Sequence, residues 1–347
     1  MIPELKIFKN EEALSSEYLP ELLPHRENQV KELANNLLPA AKGRKPQSTF
    51  LFGPPGIGKT AVTKYVFREF EEYSGIKTFY INCWDYRTAV AILSKIVIDL
   101  GTFIQRRSVS KDEAIEKLKE ACSKNRKSLI ICLDEVDQME KEALYDLLRI
   151  NQYIENPVGI VFISNNPHVF TETEPRIRSS LSIEEIEFKP YSLEEMKSIL
   201  KDRAKLAFAA VEDGVVLLAA NCALKKGGDV RVGLDCLQKS GRIAEQESSD
   251  KVGIEHIKKI ILEVKPAKPE ILKEKINEME KLILGIVKEK KYWLSGELYE
   301  SYRKRAENPV SDRHFRDFVN HLAEINLVKV KERKRGIKGR MRVISRV

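Results

Sequence analysis

The chain has 347 residues, 42% of them hydrophobic and 32% charged, with a formal net charge of +8. That length sets a prior of two or three domains, each able to bury its own core, and the composition is that of a folded, helix-rich protein. No apolar run approaches bilayer length, Met1–Asn10 lacks a basic-then-apolar leader, and the five scattered cysteines read as reduced, buried thiols rather than a zinc site.

In chain order, Leu22–Glu27 reads Leu-Leu-Pro-His-Arg-Glu and opens an amphipathic helix through about Pro39, with Val30, Leu33, Leu37 and Leu38 as its apolar positions. Gly43–Gln47 is a basic linker into a short apolar strand, Ser48–Phe52. The strand enters Gly53-Pro54-Pro55-Gly56-Ile57-Gly58-Lys59-Thr60, a G-x-x-x-x-G-K-T loop, and Ala61–Glu72 then has helical periodicity. Strand, loop and helix thus stand in the order a phosphate loop requires. The glycines let successive N–H groups turn inward around phosphate oxygens, and the positive end of the helix adds to the same spot. Lys59 supplies a charge to the β- and γ-phosphates, and the Thr60 hydroxyl is placed to ligate Mg²⁺. Pro55, Gly56, Ile57, Gly58, Lys59, Thr60 and Ala61 are therefore the candidate residues for ATP or ADP.

Lys77–Asn82 reads as the next strand, and Thr88–Gly101 as a helix apolar over most of its surface, hence buried. A charged helix runs from Ser110 or Lys111 to about Ser123. Ser128–Leu133 is an almost wholly apolar strand ending in Asp134-Glu135. That ending completes a phosphate-loop ATPase: Asp134 holds Mg²⁺ directly or through water, and Glu135 polarises the attacking water. Val158–Ser164 is a further buried strand, and Asn165 at its tip either caps a turn or sets an amide between γ-phosphate and water. Ile183–Phe188 is the last strand expected in this region.

Helices then take over. Ser192 and Glu195 form a capping box for the first, and Val211–Ala223 and Val230–Ala244 follow. Gly227 and Gly228 end one helix and Asp229 caps the next, which puts Arg231 in a first turn, where a cation opposes the helix dipole. That penalty points to a job other than helix stability. Val264–Pro269 is the clearest linker. Beyond it lie helices at Glu270–Glu289, Ser295–Arg305 and Ser311–Ile325, the last with Phe315, Phe318, Val319, Leu322 and Ile325 as its buried stripe. Arg313, Arg316 and Asn320 lie on the opposite face. Strands at Val328–Val330 and Met341–Ile344, joined by the basic run Lys331–Arg340, complete a winged helix. From Pro266 onward Lys and Arg outnumber Asp and Glu, whereas the preceding residues are nearly balanced. Positive charge concentrated in this way points to a polyanion, and Arg333, Lys334, Arg335, Lys338 and Arg340 are the candidate phosphate contacts of the wing.

The series Pro-His-Arg-Glu at 24–27, the loop at 53–60, Asp-Glu-Val-Asp at 134–137, Ile-Ser-Asn at 163–165, Pro-Arg-Ile-Arg-Ser-Ser-Leu at 175–181 and Gly-Asp-Val-Arg at 228–231 resembles the AAA+ initiator clade. These are the archaeal origin-recognition proteins related to eukaryotic origin recognition complex subunit one and cell division control protein six. The resemblance spans essentially the whole chain. It implies an α/β AAA+ core with a helical lid and a C-terminal winged helix, divided as residues 1–189, 190–265 and 266–347. It also implies that His25 and Arg26 border the adenine, that Asn165 is sensor one, and that Arg231 is sensor two. Arg176 or Arg178 would be the arginine finger offered to a neighbouring protomer. The Thr88–Arg107 segment lies where the family carries an insertion that touches DNA, with Arg106 and Arg107 as its cations. The implied function is a slow, nucleoid-associated, cytoplasmic ATPase that binds double-stranded origin DNA and helps load the replicative helicase. An ATP-gated transcription regulator would share both halves of the chain; a clamp-loader-like ATPase would lack the basic wing.

Overall fold

Apolar runs with polar tips supply the strands around which the first part of the chain folds. The computed structural model describes residues 7–105, 109–124, 127–170, 183–263, 278–306, 309–324, 328–334 and 340–346. They belong to two units, Met1–Ile261 and Leu262–Val347.

In the first unit five parallel strands, β1 (Ser48–Phe52), β2 (Thr78–Asn82), β3 (Leu129–Asp134), β4 (Val158–Ser164) and β5 (Ile183–Glu187), stand in the order β2-β3-β4-β1-β5. Every residue of β3 and β4 is buried, which is why both read as unbroken apolar runs. Edge strand β5 fully buries only Ile186 and exposes Glu184, Glu185 and Glu187, charge that discourages pairing with another chain. Because β1 lies between β4 and β5, its carboxyl end opens at a switch point of the sheet, where α/β folds bind ligands. Around the sheet are α1 (Glu27–Ala41), α2 (Lys59–Ser74), α3 (Ala89–Asp99), α4 (Lys111–Lys124) and α5 (Lys141–Leu148). The expected core helix is α3, capped by Thr88 and burying Ala89, Ile92, Leu93, Ile96 and Val97. The helix α5 was not evident from the sequence.

The sheet is followed by α6 (Leu193–Ala207), α7 (Asp213–Lys225), α8 (Val230–Gln246) and α9 (Ile254–Glu263). Both halves of the Ser192–Glu195 capping box form. A Cβ on Gly233 would lie 2.6 Å from Leu200 Cδ1, so α6 and α8 are packed closely. The first described residues join this helical layer rather than the sheet. Ala209 N donates to Ile7 O (2.9 Å) and Lys9 N to Ala207 O (2.7 Å), while the Phe8 and Phe208 rings lie 5.1 Å apart. Arg203, itself buried, donates to the carbonyls of Ala13 and Ser15 at 2.5 and 2.7 Å.

The second unit contains α10 (Glu278–Val287), β6 (Trp293–Leu294), α11 (Ser295–Arg305), α12 (Asp312–Glu324), β7 (Val328–Lys334) and β8 (Arg340–Arg346). Its sheet is antiparallel in the order β6-β8-β7. Phe315, Val319 and Leu322 of α12 are buried as their spacing predicts, and Tyr299, Tyr302 and Phe315 form an aromatic cluster with centroids 5.0–6.4 Å apart. Three helices and a β-ribbon make this a winged helix. Its strands are longer than the expected Val328–Val330 and Met341–Ile344, because pairing continues through basic residues as far as Lys334 and Arg340. The Val264–Pro269 linker and Ile325 lie outside the described residues.

Candidate active site

The loop after β1 is shaped by close approaches that only glycine permits. A Cβ on Gly53 (φ +144°) would lie 2.2 Å from the Phe188 carbonyl oxygen, and one on Gly56 (φ +69°) would lie 1.8 Å from Asp229 Oδ1. The helix α2 starts after Gly58 with no side-chain cap among the described residues, so its first-turn amides are available to an anion. Lys59 Nζ donates to the carbonyls of Gly53 and Pro54, both at 2.7 Å, and to Asn165 Oδ1 at 2.8 Å. Burial lowers its pKa to about 8, against the pull of Asp134 and Glu135.

Asp134, at the end of β3, is surrounded by donors. Its Oδ2 accepts from Thr60 Oγ1 at 2.7 Å and from Tyr80 Oη at 2.5 Å, and its Oδ1 accepts from the Glu135 amide at 2.8 Å. Glu135 occupies the left-handed region (φ +54°), uncommon for such a residue and a frequent mark of functional sites. Its carboxylate accepts from Asn165 Nδ2 at 3.1 and 3.3 Å, so Asn165 bridges Lys59 and Glu135. Burial, followed by the charges of Asp134 and Asp137, raises the Glu135 carboxyl above its ordinary pKa. Behind Asn165, Ser164 Oγ donates to Asp137 Oδ1 (2.5 Å) and accepts from Asn166 N (3.0 Å), which fixes the strand tip.

On the helical side, Arg231 grips Asp229: Nη2 donates to Oδ2 at 2.7 Å and Nε to Oδ1 at 3.0 Å. Asp229 also caps α8 through Arg231 N. Burial opposes ionisation of Asp229, yet the Arg231 bonds outweigh it and hold the carboxyl below its usual range. Val230 N donates to Gly56 O at 3.0 Å, tying this helix to the phosphate loop. Arg26 is buried. It donates to Ile57 O (3.1 Å) and Lys189 O (2.8 Å), and lies over the Tyr191 ring at 3.9 Å.

These groups surround one cavity of about 1010 Å³. Pro55, Gly56, Gly58, Lys59, Thr60 and Ala61 line it from the loop side, with Asp134, Glu135, Asn165, Arg26 and Arg231 around them. Ile57 is buried beneath the loop, and His25 is not among the lining residues; its Nε2 is buried with no hydrogen-bond partner among the described residues. Ser16–Pro24 form a further wall. Tyr80 and Tyr191 also line the cavity and stand in none of the sequence motifs; Asp137 and Asp229, which lie within the motifs at 134–137 and 228–231, act behind it by holding Ser164 and Arg231.

The nucleic-acid candidates are placed separately. On α12, Arg313 and Arg316 are exposed, and Arg316 pairs with Asp312. Asn320 is half-buried and its Oδ1 accepts from Arg342 Nη1 at 3.2 Å, so it is tethered to the ribbon rather than free on an open face. Arg333 pairs across the ribbon with Met341, and Lys334 with Arg340. Arg106, Arg107, Arg176, Arg178, Arg335 and Lys338 lie outside the described residues.

A parallel sheet with a phosphate loop at its switch point, an Asp-Glu strand end, a strand-tip asparagine and a helical layer reaching back with an arginine define an AAA+ ATPase. The AAA domain profile matches residues 42–168, and that of the Cdc6 AAA+ ATPase-type lid domain matches residues 197–260. The chain is 35% identical to ORC1-type DNA replication protein 1 of Archaeoglobus fulgidus, over 97% of this chain and 87% of that one. It is 34% identical to ORC1-type DNA replication protein 1 of Sulfurisphaera tokodaii, over 98% and 90%. The solved structure of the Aeropyrum pernix ORC1 protein in complex with DNA has 31% identity and a TM-score of 0.72, covering 98% of this chain and 94% of that chain. The protein belongs to the family of ORC1-type DNA replication proteins.

Proposed function

We propose that this AAA+ ATPase is an ATP-switched initiator that binds double-stranded origin DNA at the nucleoid and helps recruit or load the replicative helicase. The observation that carries the reading is the combination, in one chain, of the Lys59–Asp134–Glu135–Asn165–Arg231 cavity with a winged helix exposing Arg313 and Arg316. The excess positive charge after Pro266 and the DNA complex of the Aeropyrum pernix relative support the same partner. In this reading residues 1–189 are the ATPase core, 190–265 the lid and 266–347 the DNA-binding module.

Lys59 would exchange the carbonyls of Gly53 and Pro54 for the β- and γ-phosphates of ATP. Asn165, which already spans Lys59 and Glu135, would orient both, and Glu135 would take up the proton of the attacking water. Arg231 would leave Asp229 for the nucleotide and report its state to the helical layer. Arg26, which lines the cavity, and its neighbour His25 would border the adenine, and Arg176 or Arg178 of a neighbouring protomer would complete the site. The Thr60 and Asp134 oxygens, 2.7 Å apart, fit Mg²⁺, a hard cation that keeps most of its ligands as water and phosphate. Bound there, it would neutralise charge developing on the transferred phosphoryl group.

On the DNA, α12 would enter the major groove while the β7–β8 ribbon holds phosphates. Mapping the protein's bound sites across the source genome tests the reading. Enrichment at replication origins is expected, and enrichment at promoters alone would replace the initiator with a transcription regulator.

A further inference from the structure

We propose that Tyr80, a residue outside the phosphate-loop and Asp-Glu motifs, positions Asp134 and thereby sets the affinity of the nucleotide site for its divalent cation. The inference rests on the assignment of Thr60 and Asp134 as cation ligands. Among the described residues three donors reach the Asp134 carboxylate. The Thr60 hydroxyl belongs to a ligand itself, and the Glu135 amide comes with the adjacent left-handed turn. Tyr80 Oη, at 2.5 Å from Oδ2, is the donor that belongs to neither, and it comes from the neighbouring strand. In the β2–β3 ladder Asn82 stands opposite Asp134 and Tyr80 opposite Cys132. The phenol therefore reaches diagonally to the carboxylate, along the same face of the sheet.

Its direction is fixed. Phe79 and Ile81 on either side are buried in the other face, and Lys64 Nζ of α2 lies 5.0 Å from the ring centroid. The hydroxyl is left aimed at Asp134 Oδ2, to which it donates. A tyrosine held in this way fixes the rotamer of Asp134 and occupies one lone pair of Oδ2, leaving the carboxylate less freedom to swing toward Lys59. Outer-shell partners of this sort typically alter metal affinity by about 10–100-fold when removed. A tyrosine that merely satisfies its own hydroxyl would affect stability and leave the cation midpoint unchanged.

The test uses the full chain and a fluorescent ADP analogue titrated in EDTA and across a Mg²⁺ series. The readout is the Mg²⁺ midpoint and the ratio of affinities with and without the cation, so any general change in nucleotide affinity divides out. Tyr80→Phe keeps the ring against Lys64 and is expected to raise the midpoint about ten-fold. In an Asp134→Asn background the same change should add nothing, because the two residues act as a pair. A wild-type protein whose affinity ignores Mg²⁺ overturns the ligand assignment, and Tyr80 with it. A Mg²⁺-dependent wild type with an unshifted or lowered midpoint in Tyr80→Phe overturns the role of Tyr80 alone, as does an additive shift in the double variant.

Discussion

Replacing Arg26 with alanine tests whether this residue chiefly fastens the phosphate loop or chiefly serves the ligand. Its side chain links the carbonyl of Ile57 in the loop to that of Lys189 just beyond β5, and stacks on Tyr191. Two hydrogen bonds from a charged donor contribute about 1.5–3 kcal/mol each, and a desolvated cation–π contact about 1–2 kcal/mol. Against this stands the cost of keeping a guanidinium out of water, several kcal/mol. The net loss expected on Arg26→Ala is therefore about 2–4 kcal/mol. For a unit of this size each kcal/mol moves the melting temperature by roughly 2–4 °C, so calorimetry of the full chain should show a drop of roughly 4–16 °C. Arg26→Lys should fall in between, since an ammonium can replace one fork contact but not the pair together with the stack. An Arg26→Ala protein that melts like the wild type yet binds ATP poorly would refute the fastening argument and assign Arg26 wholly to the ligand.

Glu135→Gln keeps shape and loses basicity, so phosphate release should fall by roughly 10²–10⁴ while calorimetry still detects ATP; equal loss of both would make Glu135 structural. Asp229→Asn preserves a good helix cap but removes the negative charge lying against Gly56 and loosens its hold on Arg231. ATP binding should tighten several-fold, and weaker binding in a calorimetric titration would sink the idea. Neutralising Arg333, Lys334 and Arg335 should weaken binding to origin and scrambled duplexes alike and flatten the salt dependence by roughly 0.9 in log–log slope per lost phosphate contact. Arg313→Ala or Arg316→Ala should instead cost about 1–3 kcal/mol at one position of the preferred site. A salt series in which the two sets behave alike would rule out the division of labour between helix and wing.

The parts legible in the sequence are those whose chemistry is local. A phosphate loop needs its glycines, lysine and hydroxyl in consecutive positions, and β3 must deliver Asp134 and Glu135 at its end, so both announce themselves. The helix α9 does not, because its first amide is met by Glu212 Oε2, contributed from the start of α7 rather than from a neighbouring cap. The helix α5 follows Glu140, which supplies no side-chain cap, and β6 has only two residues, too few for any periodicity. Asn320 has the spacing of a solvent-facing position on α12; its bond to Arg342 depends on where the ribbon folds back. Tyr80 escapes for the same reason. Nothing near it in sequence reveals that β2 lies beside β3 in the register that brings its hydroxyl to Asp134.

The union of Ile7–Ser15 with α6 and α8 has a consequence for the chain during its synthesis. The carbonyl of Ala13 waits for a guanidinium 190 positions downstream, and Phe8 waits for Phe208 and for the smooth surface at Gly241, where a Cβ would meet its ring at 2.3 Å. A ribosome adding about 5–20 residues per second leaves that opening segment without its partners for roughly 10–40 s. Meanwhile the strands of the sheet emerge and pair. The helical layer is thus a domain interrupted in sequence by the whole ATPase core, and it closes only after the core has been made. A fragment begun at residue 190 would expose Phe208 and leave Arg203 without the carbonyls of Ala13 and Ser15 and the Tyr18 ring. It should consequently be recovered folded only when a peptide spanning residues 7–18 is supplied in trans.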